Sequence, residues 1–323
     1  MTLLVTGASG FLGLNLLEHL AGEGRQVVAL SLDGLPAAFR PVLAGLPGEV
    51  TEARGDIRDT DLLRGLLRDH AIRRIIHGAT ITSGPEREAE TPSAVLDVNV
   101  MGSVRLMECA CDARVDRLVL ASSGAVYGDA AFGSRPPVEA DPPTPNSLYG
   151  VSKVAMEGVA LRLSALRGLP VRIARISAVF GPWERATGQR DVLSPPFQIA
   201  RALLGGGRPE LPETGARDWV GARHVARTLA ALADRDDLPG PVYNVGAGAV
   251  WHPRDLLVRF ASRGVAPAAD AAGVDVAFND RLDAPRQAIS TARLVADGGP
   301  AHDLGRAQEQ FVDWALANRG WFD

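Results

Sequence analysis

The chain has 323 residues, 46% of them hydrophobic and 22% charged, which suffices for one large packed domain or two unequal ones. A net charge of −4 gives no general attraction to nucleic acid or to an acidic membrane surface, and no apolar run reaches membrane-spanning length. Cys109 and Cys111 lie two apart in a helical pattern and point in different directions, so a disulfide is not expected, and no metal-ligand cluster accompanies them. With no signal peptide before the first strand, a cytoplasmic protein is expected.

Leu3-Leu4-Val5 is a short apolar strand that runs into Thr6-Gly7-Ala8-Ser9-Gly10-Phe11-Leu12-Gly13. Leu14, Leu16, Leu17 and Leu20 then take helical spacing until Gly22 and Gly24. A strand, a glycine-rich turn and a helix in that order present backbone N–H groups and a positive helix end to a pyrophosphate. Val27 to Leu30 is the second strand. Dinucleotide folds usually close this strand with an acid for the adenosine ribose. Here Ser31 ends it, and the nearest acid is Asp33, 20 residues after Gly13.

Residues 34–48, rich in Gly and Pro, predict a loop. Val50 to Arg54 is a third strand, and Thr60 to Asp69 a helix capped by Asp59 or Thr60. Arg74 to His77 is a fourth strand that opens into Gly78-Ala79-Thr80. Thr91 to Ala113 predicts one long helix carrying Asn99. Leu118 to Ala121 is the fifth strand, with Ser122 and Ser123 at its carboxyl end, where open α/β sheets bind ligands.

Tyr149-Gly-Val-Ser-Lys153 opens an amphipathic helix. Its phenol and ammonium are one turn apart and share a face. A cation beside a phenol favours the phenolate, lowering the pKa toward neutrality and making a group that can exchange a proton with an alcohol. Val171 to Arg175 is the sixth strand, and Val242 to Val245 a late one. Helices are expected at Pro196–Leu204, Val220–Ala233, His252–Ser262 and Arg306–Ala317. The alternation predicts an α/β fold: a Rossmann-type doubly wound parallel sheet over residues 1–182, returning near 217–246, and a smaller C-terminal substrate-binding lobe over 183–323.

Thr6 to Gly13, Ser122-Ser123-Gly124-Ala125-Val126-Tyr127-Gly128 and Tyr149 to Lys153, in that order, resemble the extended short-chain dehydrogenase/reductase family, closest to its NAD-dependent epimerase/dehydratase branch. The resemblance implies that Tyr149 is the acid/base, that Lys153 lowers its pKa and binds the nicotinamide ribose, and that Ser123 completes the catalytic set. It implies cofactor contacts from Gly7, Gly10, Phe11, Leu12, Gly13, Asp33, Asp56, Ile57, Ala79, Asn99, Ser122 and Ile176 as well, and substrate contacts from Ser123, Tyr149 and Arg217. NAD is the expected cofactor, because Asp33 would repel a 2′-phosphate, with Ser31 leaving NADP open. The expected partners are a small sugar-type substrate and a second copy of the chain, paired through the helices of Tyr149 and Asn99.

The departures narrow the chemistry. Sugar-nucleotide 4,6-dehydratases carry Asp-Glu after the catalytic Ser or Thr; Gly124 and Ala125 stand there and cannot move protons. Ala178 stands where nucleotide-sugar epimerases have an Asn that contacts the substrate, Gly221 replaces the usual aromatic, and Arg223-His224 replace an aspartate pair. Arg185, Arg190, Arg217 and Arg223 would give the pocket a positive cast. The resulting expectation is an NAD(P)-dependent oxidoreductase acting on a sugar or sugar-acid hydroxyl, with a smaller anionic sugar favoured as substrate. A nucleotide-sugar 4-epimerase with tightly held NAD is the alternative, and a non-catalytic cofactor-binding regulator the remotest reading.

Overall fold

The computed structural model describes residues 2–213, 215–278 and 286–322. Alternation along each strand builds two cores at once. In β1 (Leu3–Thr6), Leu3 and Val5 pack on one face of the sheet and Leu4 on the other, all at most 1% exposed. Each such side chain contributes about 1.5–3 kcal/mol by leaving water. β2 (Gln26–Ser31), β3 (Glu49–Arg54), β4 (Arg74–His77), β5 (Arg117–Ser123) and β6 (Val171–Ile176) follow. With β10 (Val242–Val245) they form a seven-stranded sheet in the order β10-β6-β5-β4-β1-β2-β3, every pair parallel. Chain order reverses between β1 and β4, so the crevice outside their carboxyl ends is the natural ligand site.

α1 (Phe11–Gly22) covers one face together with α9 (Ala222–Asp234). α3 (Thr60–Asp69), α6 (Ser103–Asp112) and α7 (Leu148–Arg167) cover the other. Asp59 caps α3 by accepting from the Leu62 N–H, and Ser147 caps α7 by accepting from Gly150. The segment 34–48 is not all loop. It contains the short α2 (Arg40–Ala44), tied to the sheet by Glu52, which accepts from the Leu35 N–H and from the Arg40 guanidinium.

The long helix expected over 91–113 is broken. α4 (Pro85–Glu90) ends before Thr91-Pro92, and α5 (Pro92–Leu96) gives way to a π-helical turn, Asp97–Gly102, before α6. The Ser103 hydroxyl donates to the Asn99 carbonyl at 2.6 Å, competing with the backbone ladder where it widens.

The remaining elements build the second lobe. β7 (Ala178–Phe180) pairs with β9 (Trp219–Gly221), and β8 (Arg208–Glu210) with β11 (Gly273–Asp275). α8 (Pro195–Leu204), α10 (Asp255–Ala261), α11 (Ala292–Ala296) and α12 (Leu304–Ala317) complete it. Phe180, Trp183, Phe311, Trp314 and Trp321 pack edge-on or stacked where this lobe meets the sheet.

Candidate active site

The turn after β1 closes because it has no side chains to accommodate. Gly7 takes φ +68°, and a Cβ there would lie 2.7 Å from the Ala79 nitrogen; a Cβ on Gly13 would lie 2.3 Å from the Gly7 carbonyl oxygen. Gly10 caps α1 with no side-chain hydrogen bond, and the first turn holds no acid. The helix end therefore keeps its positive character for an anionic ligand, which fits a dinucleotide pyrophosphate.

Tyr149 and Lys153 sit on the first turns of α7, and Ser123 ends β5. The Lys153 ammonium is buried, lies 5.5 Å from the centre of the Tyr149 ring and donates to the Ala121 carbonyl at 3.0 Å. The expected depression of the phenol pKa is not found. Burial holds Tyr149 above its ordinary value, opposed by the Ser123 and Thr82 hydroxyls and the Arg190 charge. The reason is positional: the ammonium is directed at a backbone carbonyl, not at the phenol oxygen. Thr82 follows β4, the strand next to β5; a polar residue just beyond a neighbouring strand end was a usable signal that the sequence reading missed.

Burial also lowers the Lys153 pKa to about 8, with Glu157 opposing. An unfolded lysine, at about 10.4, holds a proton that the folded one has released. The penalty of burying the charge is thus fully present below about pH 8, and stability rises with pH from there to about 10.4. Urea midpoints at about pH 7.5 and about pH 9.5 should therefore rise in the native protein relative to Lys153→Met. Parallel changes in the two proteins would mean that Lys153 titrates normally.

Behind the pair lies a buried polar network that no motif announced. The Ser122 hydroxyl donates to Glu157, which accepts from Arg175 at 2.8 Å. Arg175 also donates to the Tyr127 hydroxyl at 3.1 Å, and Tyr127 donates to the Asn244 carbonyl oxygen at 2.6 Å. Burial works against the Arg175 charge, but Glu157 and Tyr127 keep its pKa above the ordinary value.

A second chain runs under the glycine turn. His77 is bonded by Thr6 at 2.6 Å and by Ser103 at 2.8 Å. The Ser103 proton is committed to the Asn99 carbonyl, so the ring donates from Nε2 and accepts at Nδ1. Burial, and secondarily the Lys153 charge, lower its pKa to about 3, keeping it neutral.

One cleft of about 840 Å³ gathers Gly7, Gly10 through Gly13, Ser122, Ser123, Tyr149, Lys153, Ile176 and Arg217. Its walls also include Thr82, Arg185, Arg190, Phe278 and Arg286. Arg223 is not among them; it turns away to pair with Glu18 at 3.0 Å. Asp33, Asp56, Ile57, Ala79 and Asn99 stand outside the cleft wall. Asp33 is exposed just past Ser31, and its charge supports that of Arg185. Asp56 is gripped by Arg58, Ile57 is buried, and Ala79 donates its N–H to Thr6. Asn99 spends its polar groups inside the protein, accepting from Thr80 and Ile81 and donating to the Ile81 carbonyl and Ser152, one residue from Lys153. It clamps the loop after β4 against α7.

The profile of the NAD dependent epimerase/dehydratase family matches residues 3–246. The chain belongs to that family. The expectation of an enzyme with NAD as cofactor is met at the family level. Within it, a dTDP-glucose 4,6-dehydratase of Streptomyces antibioticus is 32% identical over 100% of this chain and 95% of its own length. A UDP-glucose 4-epimerase of Streptomyces lividans is 29% identical over 98% and 94%. Among solved structures, MoeE5 in complex with UDP-glucose and NAD superposes with a TM-score of 0.77 at 28% identity, covering 99% of this chain and all of the other. The Thermus thermophilus UDP-glucose 4-epimerase in complex with NAD gives 0.79 at 26% identity, covering 98% and 100%. The match covers the whole seven-stranded sheet and the stretches Ser122–Gly128 and Tyr149–Lys153, and among the described residues no helix is long and apolar enough to cross a membrane.

Proposed function

We propose that this family member is a nucleotide-sugar epimerase that oxidises one hydroxyl-bearing carbon and reduces it again from the other face. The carrying observation is the continuity of the cleft: the glycine turn, Tyr149 and, on the second lobe, Arg217 with Arg286 line a single space. Two arginines in the wall of the same cleft suit a diphosphate linker, and Phe278, also in that wall, offers an apolar face. This departs from the expectation of a smaller anionic sugar, which rested on Ala178, on Gly221 in place of an aromatic and on Arg217 as a carboxylate grip; the relatives above are named for dTDP-glucose and UDP-glucose.

Bound NAD supplies the hydride acceptor and donor. Tyr149 takes the hydroxyl proton as the carbon is oxidised and returns it on reduction; the Ser123 and Thr82 hydroxyls hold its phenol oxygen. Lys153, anchored by Ala121, fixes the floor under the phenol. Arg185 lies over the glycine turn, donating to the Ser9 carbonyl at 3.2 Å, a strap that favours a retained cofactor. Gly124 and Ala125 wall the cleft where elimination of water would need proton carriers, which disfavours a dehydratase. Incubation with UDP-glucose and dTDP-glucose, followed by proton NMR, tests the reading. Formation of the 4-epimer without free NADH supports it; a 4-keto-6-deoxy sugar, or stoichiometric NADH, overturns it.

The reaction is assigned to the cytoplasm, where the free thiols Cys109 and Cys111 would stay reduced. The working unit is read as a homodimer. Met101, Val151, Leu161 and Leu166 are 38–61% exposed, the first on the π-helical turn and the others on α7. Large apolar side chains gathered on these neighbouring helices suit a self-complementary interface. Light scattering at micromolar concentration should give twice the 34.1 kDa chain mass, and Leu161→Glu should return the monomer. Monomer mass for the native protein would contradict the dimer.

A further inference from the structure

A second cavity of about 340 Å³ shares no lining residue with the active-site cleft. Ala178, Val179 and Trp219 of the β7–β9 pair line the cleft, whereas Phe180 and Gly221 line this cavity. Three arginines, Arg223, Arg227 and Arg306, line it. Arg223 is partly neutralised by Glu18. Arg227 and Arg306 are exposed overall and make no ion pair among the described residues; partial desolvation in the concave wall, with the Arg306 and Arg223 charges, lowers the Arg227 pKa. Asp303 is the acid in the wall, and its carboxylate is engaged in capping α12 through the Arg306 N–H. Like charges gathered in a concave site raise one another's energy unless an anion relieves them.

Two histidines add unsatisfied groups. The His224 and His302 rings meet edge to face at 4.7 Å and both line the cavity. His302 Nε2 accepts the Gly221 N–H at 3.3 Å, so the neutral ring carries its proton on Nδ1. That Nδ1 is buried without a hydrogen-bond partner. His224 is 3% exposed; the Thr228 hydroxyl donates to the His224 carbonyl and faces its Nε2 at 3.5 Å, so Nε2 carries the proton and Nδ1 is left as an acceptor without a partner. Burial first, then His302 and Arg227, lower the His224 pKa to about 3, opposed only by the Ala301 carbonyl. The cavity also receives the N-terminal end of α9, which has no side-chain cap and no acid in its first turn.

We propose that this cavity is a second ligand site, separate from the substrate cleft, for the phosphate group of a small molecule. A phosphate or diphosphate offers several acceptor oxygens at once to the Arg227 and Arg306 guanidinium N–H groups and to the His302 Nδ1–H, more than a carboxylate can present. Arg227 and Arg306 carry the cavity's positive charge, and the Arg223-His224 run, departing from the expected aspartate pair, adds no acid that would repel the same ligand.

Calorimetric titration of the NAD-saturated protein with pyrophosphate tests the site. Arg227→Ala/Arg306→Ala is the site variant. Both side chains are exposed, so the fold should survive, and an unchanged thermal midpoint checks that. Arg217→Ala is the control for binding in the cleft. Saturable binding that weakens at least about tenfold in the double variant, from the loss of charge-assisted hydrogen bonds, and persists in Arg217→Ala supports the site. Absence of saturable binding, equal binding in the double variant, or loss in Arg217→Ala alone overturns it. His302→Phe, which keeps the ring and removes the Nδ1–H, should also weaken binding; wild-type affinity there would remove that imidazole from the site.

Discussion

Replacing Tyr149 by Phe should lower turnover at least about a hundredfold, the lower range of what a positioned general acid–base contributes. NAD affinity should stay within a few-fold, because the ring, its packing over Lys153 and the Lys153 bond to Ala121 all remain. What goes is the one group placed among Ser123, Thr82 and the reacting oxygen that can carry a proton away. Because the proton moves only as the carbon is oxidised or reduced, kcat and kcat/KM should fall together, with KM little changed. Burial holds the phenol above its ordinary pKa, so the native enzyme should also gain rate toward alkaline pH, a rise that the variant lacks. Near-native turnover in Tyr149→Phe would remove it from the chemistry.

The second large effect is on stability. Glu157 and Arg175 are 4% and 6% exposed and are paired at 2.8 Å. Glu157→Ala leaves the Arg175 charge buried with its remaining partners Tyr127 and the Glu139 carbonyl, and strips the Ser122 hydroxyl of its acceptor. Breaking a buried pair from one side costs about 3–5 kcal/mol. Glu157→Leu with Arg175→Met should recover most of that loss, since replacing both ends avoids the stranded charge. Equilibrium urea unfolding of the native protein and the two variants measures it. A single variant within 1 kcal/mol of native, on the same order as an exposed pair, would mean that the network is solvated. The loss should reach the site as well, because the Glu157 charge is what opposes the depression of the Lys153 pKa.

What the sequence disclosed, and what it hid, divides along a physical line. Leu3 to Gly13 was readable because a tight turn at the end of a buried strand leaves glycine as the only fit, and Gly7 does take positive φ. The Tyr149–Lys153 pairing was readable because helical spacing fixes it locally. The direction of the Tyr149 pKa was not, because it depends on burial and on where the ammonium finds its partner. Asn99 looked like one polar residue in a long helix; its contacts with Ile81 and Ser152 are ones that only the folded chain brings near. The Ser122–Glu157–Arg175–Tyr127–Asn244 network joins residues as far as 122 positions apart and has no spacing to betray it. Arg286 and Phe278 were passed over for the same reason, whereas Arg223 was credited to a pocket it does not line.

The central claim is that one carbon gives its hydride to a retained NAD and receives it back within the same cleft. UDP-glucose carrying deuterium at C4 tests this most directly, with product isolated after many turnovers and examined by mass spectrometry and NMR. The account predicts the 4-epimer with the deuterium still at C4 and no free labelled NADH. Deuterium lost to released NADH, or found on another carbon of a 4-keto-6-deoxy product, would contradict it.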